Sequence, residues 1–278
     1  MNIAVVGLGL IGGSMARALK KNTNHKVYGY DLQESVLEEA LTTGTIDGLL
    51  ENNLSCCEVV LIALYPKATI EYVKNNVKSF KKGALIIDCC GVKRFVCSEL
   101  FSAAEEHNFT FIGGHPMAGT ESWGFKSSRD NLFHGAFMIL TPKEALTPEE
   151  LKFLQDFFYP IGFGNLKIST PEEHDHFIAY TSQLAHVLSG AYVKTPSALQ
   201  HKGFSAGSFK DLTRVAKLNE KMWCELFMEN KDFLINEIDG LIERLLPYSE
   251  ALKNNDEKAL KELLKEGRIY KERVEKEL

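Results

Sequence analysis

Two clusters of residues in this chain have types and spacings that can do chemistry. The first is Gly7-Leu-Gly9-Leu-Ile-Gly12, which follows the short apolar run Asn2–Val6. In such a loop the first glycine permits a tight turn and the second lets backbone approach a pyrophosphate. The third lets the next helix sit close to the strand. The helix N-terminus then faces the phosphates with free N–H groups and a positive dipole end. Gly7, Gly9, Leu10, Ile11 and Gly12 are therefore candidate dinucleotide-binding residues. Asp31 closes a second strand-like run, 26–30, and lies 19 residues after Gly12. A carboxylate there accepts both ribose hydroxyls and repels a 2′-phosphate, which favours NAD over NADP. The competing reading of Asp31 is a cap for the helix expected over residues 34–42.

The second cluster is Gly113-Gly-His-Pro-Met-Ala-Gly-Thr-Glu121, at the end of the apolar run 109–112. A histidine beside a nicotinamide can take the proton of an alcohol whose carbon gives up hydride, and an ordinary imidazole pKa near 6.5 suits that task. His115 is thus a candidate base; the alternative is a histidine that only satisfies loop backbone.

The elements that must hold these residues alternate. Strands are expected at 2–6, 26–30, 59–64, 84–88, 109–112 and 136–141. Helices are expected at 15–21, 34–42, 67–76 and from Lys93 to about Asn108. That alternation predicts an α/β Rossmann domain, a doubly wound and mainly parallel sheet with ligands at the carboxyl ends of its strands. Leu64, residues 88–93 and His115 all fall at such ends. After Pro171 the strand signals fade, and helices are expected over 172–195, from 211, over 218–246 and over 257–274. The division is therefore a nucleotide-binding domain at 1–165 and an all-α domain at 166–278, with a linker near 160–171. Helices with this much apolar surface cannot easily bury it alone, which points to a dimer.

Composition narrows the function. The chain has 278 residues, of which 45% are hydrophobic and 25% charged, an ordinary balance for a globular protein with ample core. A net charge of −5 argues against nucleic acid as partner, so an anionic substrate must be met by local positive groups. Six cysteines include the adjacent pairs 56–57 and 89–90, a spacing that suits neither a disulfide framework nor a metal site. Reduced thiols and the absence of a signal peptide predict a cytoplasmic protein without bound metal. No run approaches a membrane span.

Taken together, Val6–Ser14, the 113–121 stretch, Ser182-Gln-Leu-Ala-His186, Asp211-Leu-Thr-Arg214 and Met222-Trp223 resemble the prephenate/arogenate dehydrogenase family over nearly the whole chain. The resemblance implies a Rossmann domain followed by a helical dimerisation domain, with NAD as cofactor and a homodimer formed through the C-terminal helices. It implies oxidative decarboxylation of prephenate to 4-hydroxyphenylpyruvate, in tyrosine biosynthesis. His115 would deprotonate the ring hydroxyl and Arg214 would hold a substrate carboxylate. His186 would lie in the substrate pocket, with Thr120, Glu121 and Asp211 lining or gating it, and Leu64 and Gly91 would lie by the cofactor. One residue departs from the pattern: Gly91 stands where many members carry a serine that bonds the catalytic histidine. Cys90, backbone or water would then supply the contact. Lys93 would neutralise an anion or cap loop carbonyls. The chain begins at the Rossmann strand, so no fused chorismate mutase is expected before it, and too few residues follow the helices for a regulatory domain.

Three other readings compete. Arogenate dehydrogenase shares the ring chemistry and differs at the side-chain end. A β-hydroxyacid dehydrogenase would use Lys194 in the Gly190-xxx-Lys spacing, but the asparagine usual four residues later is Ala198. A non-catalytic NAD-binding homologue has only the Gly91 departure in its favour.

Overall fold

Eight strands of the described residues join in one sheet in the order β3-β2-β1-β4-β5-β6-β7-β8. The computed structural model describes residues 1–51 and 53–276. The strands are β1 (Asn2–Val6), β2 (Lys26–Tyr30), β3 (Gly48–Leu49), β4 (Val59–Ile62), β5 (Leu85–Asp88), β6 (Thr110–Pro116), β7 (Phe137–Pro142) and β8 (Asn165–Ile168). β7 runs antiparallel to β6 and every other pairing is parallel. Between them lie α1 (Leu10–Asn22), α2 (Glu34–Thr42), α3 (Pro66–Asn76), α4 (Arg94–His107) and α5 (Pro148–Phe158).

The period-2 alternation of a strand explains why both sheet faces are covered. Along β1, Ile3 and Val5 join a core with Met15 and Leu19 of α1 and Leu154 and Phe158 of α5. Ala4 and Val6 join the opposite core with Ile70 and Val73 of α3 and Val96 and Leu100 of α4. Burial on both faces is what makes β1 and β4 continuous apolar runs.

The chain then becomes helical: α6 (Pro171–Ile178), a wide π turn at Ala179–Leu184, α7 (Ala185–Tyr192), α8 (Pro196–Leu199), α9 (Gly207–Thr213) and α10 (Glu220–Glu229). These belong with the sheet to one compact unit, Met1–Asn230. A second unit, Lys231–Leu278, holds α11 (Lys231–Lys253) and α12 (Glu257–Val274), with Asp256 capping α12 through the Ala259 N–H. Residues 277–278, the end of the expected helical domain, lie outside the described residues.

Several elements differ from the sequence expectation. β6 extends beyond Ile112 through His115 to Pro116, because its antiparallel partner β7 pairs His115 with Ile139. β8 occupies part of the expected linker, paired only with β7 at the sheet edge. The helix expected over 218–246 breaks at Asn230, whose fully buried side chain bonds inward instead of continuing the helix. The sequence signal for α5 is a capping box at its start. The Thr147 hydroxyl accepts the Glu150 N–H, and the Glu150 carboxylate accepts the Thr147 N–H.

Candidate active site

At the nucleotide end, the glycine loop has the shape its sequence demands. Gly7 has φ of 85°, and a Cβ there would lie 2.6 Å from the Ala63 carbonyl oxygen. At Gly12 a Cβ would sit 1.8 Å from the Gly7 carbonyl oxygen, so only glycine lets α1 approach β1 this closely. Gly9 is different: a Cβ there would meet nothing within 4 Å. Its backbone, with that of half-buried Leu10 and Ile11, is open at an α1 N-terminus that carries no side-chain cap. An uncapped helix start beside open backbone fits a diphosphate. Asp31 follows β2, accepting the Leu8 N–H at 2.8 Å on one oxygen and the Gln33 N–H at 2.9 Å on the other. It therefore ties β2 to the glycine loop and holds Gln33, the residue before α2, without capping the helix itself, with a lone pair left on each oxygen. Leu64, just past β4, packs over the Gly7 turn.

His115 comes from the last turn of β6 and is half-buried. Gly113 and Gly114 precede it because the space beside them is filled. Added Cβ atoms would lie 2.6 Å from the Cys97 sulfur and 2.4 Å from the Asp88 carbonyl oxygen. That space also holds the fully buried Lys93 side chain. Lys93 ion-pairs with the equally buried Asp88 and donates to the Gly114 carbonyl at 2.6 Å. Asp88 in turn accepts the Gly114 N–H at 3.0 Å and the Cys90 N–H at 2.8 Å. Burial works to lower the Lys93 pKa, but the Asp88 carboxylate and the nearby thiols together carry it above the ordinary value. The ammonium is thus a charged internal clamp between the loop after β5 and the end of β6, consumed by protein groups.

The His115 ring is held from behind. Its Nδ1 lies 2.8 Å from His174 Nε2, and His174 Nδ1 lies 2.7 Å from Asp175 Oδ1. Asp175 accepts the Lys93 N–H at 2.7 Å on that same oxygen and the Arg94 N–H at 2.9 Å on the other, at the start of α4. Asn230 donates to the Asp175 carbonyl at 2.8 Å and to Gln183 at 2.9 Å, and accepts from Arg94 at 2.9 Å. Burial first, then the neighbouring His174 and the Lys93 ammonium, hold the His115 pKa well below the usual histidine value. Burial also lowers that of His174, which Asp175 only partly offsets. His115 is therefore neutral at neutral pH.

The other nitrogen of His115 faces Gly91. A Cβ at Gly91 would stand 4.0 Å from His115 Nε2 and 3.4 Å from Leu226 of α10. Cys90 does not replace the missing serine, since its thiol donates to the Leu64 carbonyl at 3.4 Å and meets the Thr69 hydroxyl at 3.3 Å. Burial, the largest cause, pushes the Cys89 thiol up to about 12 and the Cys90 thiol well above its ordinary value, so neither is a nucleophile.

The remaining candidates gather around α7 and α10. His186 donates from Nδ1 to the Ser182 carbonyl at 2.8 Å, one turn earlier, and lies against Trp223 with ring centres 3.8 Å apart and planes tilted by 31°. Trp223 and Leu226 are three apart on α10, so the helix links the His186 group to the Gly91–His115 group. Burial, with Arg214 as a smaller cause, lowers the His186 pKa. Arg214, just past α9, is exposed and pairs with Glu121 at 2.7 Å, joining the loop after β6 to the helical segment. Thr120, beside it, donates to the Ser122 carbonyl at 3.1 Å. Asp211 is exposed on α9, and none of the described polar contacts joins it to the others. Lys194 is exposed past the end of α7.

Sequence reasoning missed His174, Asp175, Gln183 and Asn230. They are 59 or more residues from His115, and nothing in local spacing announces a contact across that distance. Adjacent His-Asp after the Thr170 cap was the only available signal.

A doubly wound sheet with an open glycine loop, an acidic β2 terminus and a neutral imidazole at a nearby strand end defines an NAD-dependent oxidoreductase. Residues 15–164 match the nucleotide-binding domain of prephenate dehydrogenase, and residues 170–266 match its dimerization domain. The chain belongs to the prephenate dehydrogenase family. It is 30% identical over 276 residues to the cyclohexadienyl dehydrogenase of Zymomonas mobilis, covering 96% of this chain and 93% of that one. Among solved structures it resembles the Aquifex aeolicus prephenate dehydrogenase in complex with hydroxyphenyl propionate and NAD+. The TM-score is 0.85 at 30% identity, covering 99% of this chain and 98% of the other. It also resembles Synechocystis arogenate dehydrogenase, with a TM-score of 0.80 at 26% identity over 99% of this chain and all of that one.

Proposed function

We propose that this chain catalyses the NAD-dependent oxidative decarboxylation of prephenate to 4-hydroxyphenylpyruvate, a step of tyrosine biosynthesis. The observation that carries the reading is His115, a neutral, half-buried imidazole at a strand end, with one nitrogen bonded to His174 and the other facing Gly91. NAD, when bound, supplies the hydride acceptor. His115 Nε2 takes the proton of the ring hydroxyl as hydride leaves its carbon. Carbon dioxide departs from the opposite ring position, and the ring becomes aromatic. Gly7, Gly9, Leu10, Ile11, Gly12, Asp31, Leu64 and Gly91 hold the cofactor, within a nucleotide-binding domain at 1–165. The helical part, 166–278, contributes His186 and Arg214 to the substrate.

Arg214 holds a substrate carboxylate. Its partner Glu121 is an exposed ion pair of the kind worth only about 0–1 kcal/mol, so a carboxylate ligand displaces or shares it cheaply. Thr120, Glu121 and Asp211 line or gate the entrance. Replacing Arg214 with Ala is expected to raise KM about 10- to 150-fold, the equivalent of a charge-assisted contact of roughly 1.5–3 kcal/mol, with NAD binding retained. Loss of NAD binding alone would contradict this role. Asp31→Ala is expected to weaken NAD far more than NADP in a fluorescence titration; equal losses would remove Asp31 from the ribose.

The relatives include prephenate, cyclohexadienyl and arogenate dehydrogenases, so the deciding assay offers both ring substrates. NADH formation at 340 nm is expected to be faster with prephenate. Faster turnover of arogenate would move the protein to that activity. Silence with both, in protein that binds NAD, would overturn the reading. The protein is a cytoplasmic homodimer in this view, supported by its six free thiols and by exposed Ile235, Ile242, Leu245 and Leu246 on α11. A one-chain mass in solution would contradict the dimer. No helix among the described residues is long and apolar enough to cross a membrane.

A further inference from the structure

We propose that His174 and Asp175 are positioning residues that fix the tautomer of His115, so that its Nε2 is a free base. The inference rests on reading His115 as the base. The chain of donors admits one consistent assignment. Asp175 accepts backbone N–H groups on both of its oxygens and an Arg94 side-chain contact besides, so it is an acceptor towards His174. The bond of 2.7 Å between them therefore puts a proton on His174 Nδ1.

A neutral imidazole protonated at Nδ1 carries its lone pair at Nε2, and that atom lies 2.8 Å from His115 Nδ1. The His115 Nδ1 must then donate, which leaves His115 Nε2 unprotonated on the side of Gly91. When Nε2 accepts a proton, the positive charge on His115 meets a lone pair on His174 backed by a carboxylate, with no proton needing to leave Nδ1. The arrangement is a triad in which a second imidazole stands between base and carboxylate, and the carboxylate selects the tautomer from two residues away. It also accounts for a site without the usual serine. The orientation of His115 is imposed at Nδ1 from the interior, so no partner at position 91 is required to set it. The other charged groups facing the pair are Lys93, Asp88 and Arg94. Lys93 is paired with Asp88 but, behind burial as the larger cause, its ammonium still lowers the pKa of both imidazoles; Arg94 bonds Asp175, and Asp175 is the carboxylate bonded to His174.

The test is a two-bond proton–nitrogen spectrum of protein labelled at its 8 histidines, with the His115 signals identified by their loss in His115→Asn. Wild type is expected to show His115 protonated at Nδ1 only. Asp175→Asn removes the charge behind His174 and leaves a single amide oxygen for the Lys93, Arg94 and His174 donors, so the tautomer is no longer fixed; kcat should fall by at least about 10-fold while KM stays within about twofold. Because Asp175 also anchors the start of α4, two variants that spare it complete the test. His174→Phe fills the space without an acceptor and is expected to lose kcat to a similar extent. His174→Gln offers a carbonyl oxygen to His115 Nδ1 and is expected to recover most of it. A wild-type His115 protonated at Nε2, or equal losses in the Phe and Gln variants, would overturn the proposal. An active His115→Asn would instead sink the base assignment, whatever the tautomer.

Discussion

Replacing His115 with Asn is expected to cut turnover by roughly 10²–10⁴-fold, the usual contribution of a positioned general base, with the NAD dissociation constant nearly unchanged. The split follows from geometry, since His115 sits at the end of β6 while the residues proposed for the diphosphate and ribose, Gly7–Gly12 and Asp31, sit at β1, α1 and the end of β2. An unchanged rate would remove His115 from the chemistry. The pH profile of kcat/KM provides a second check. Burial, His174 and Lys93 lower the His115 pKa, so the neutral form already dominates at the ordinary histidine value. Activity governed by this base is therefore full near pH 6.5 and is lost only as pH falls through the lowered value. An acid limb at or above pH 6.5 would mean that another group titrates.

Replacing Lys93 with Met is expected to destabilise the folded protein by about 3–5 kcal/mol, because it leaves the Asp88 carboxylate buried without its counter-charge. The loss is largely the cost of an unpaired charge. Changing both partners, Asp88→Asn with Lys93→Met, should recover a good part of it in a denaturant titration. A single variant within about 1 kcal/mol of wild type would mean that water reaches Asp88 or that it takes up a proton. The clamp also bears on the site. Lys93 bonds the Gly114 carbonyl one residue before His115, so turnover should fall in the single variant even where it remains folded.

Local patterns were enough for much of this architecture. The glycine loop, Asp31 and the apolar runs of β1, β4 and β5 identify themselves, because a strand buried on both faces must be apolar throughout and a tight turn must be glycine. α2 and α12 fall at the residues expected of them. β3 and β8 were not legible: two and four residues long, they are strands only because β2 and β7 offer them an edge.

The sequence by itself determined that a histidine, an arginine and a glycine loop occur in one chain in an order typical of a family. It could not say what holds that histidine. Lys93 read equally well as an anion's partner until the fold buried it against Asp88, five residues away in sequence but across a strand end in space. His174 and Asp175 carried no pattern beyond their adjacency after the Thr170 cap. Their role depends on α6 delivering them behind β6, and on the start of α4 offering Asp175 the Lys93 and Arg94 N–H groups. Hydrogen bonds between residues far apart in sequence exist only once packing has excluded water from both partners, and tertiary structure alone decides which partners those are.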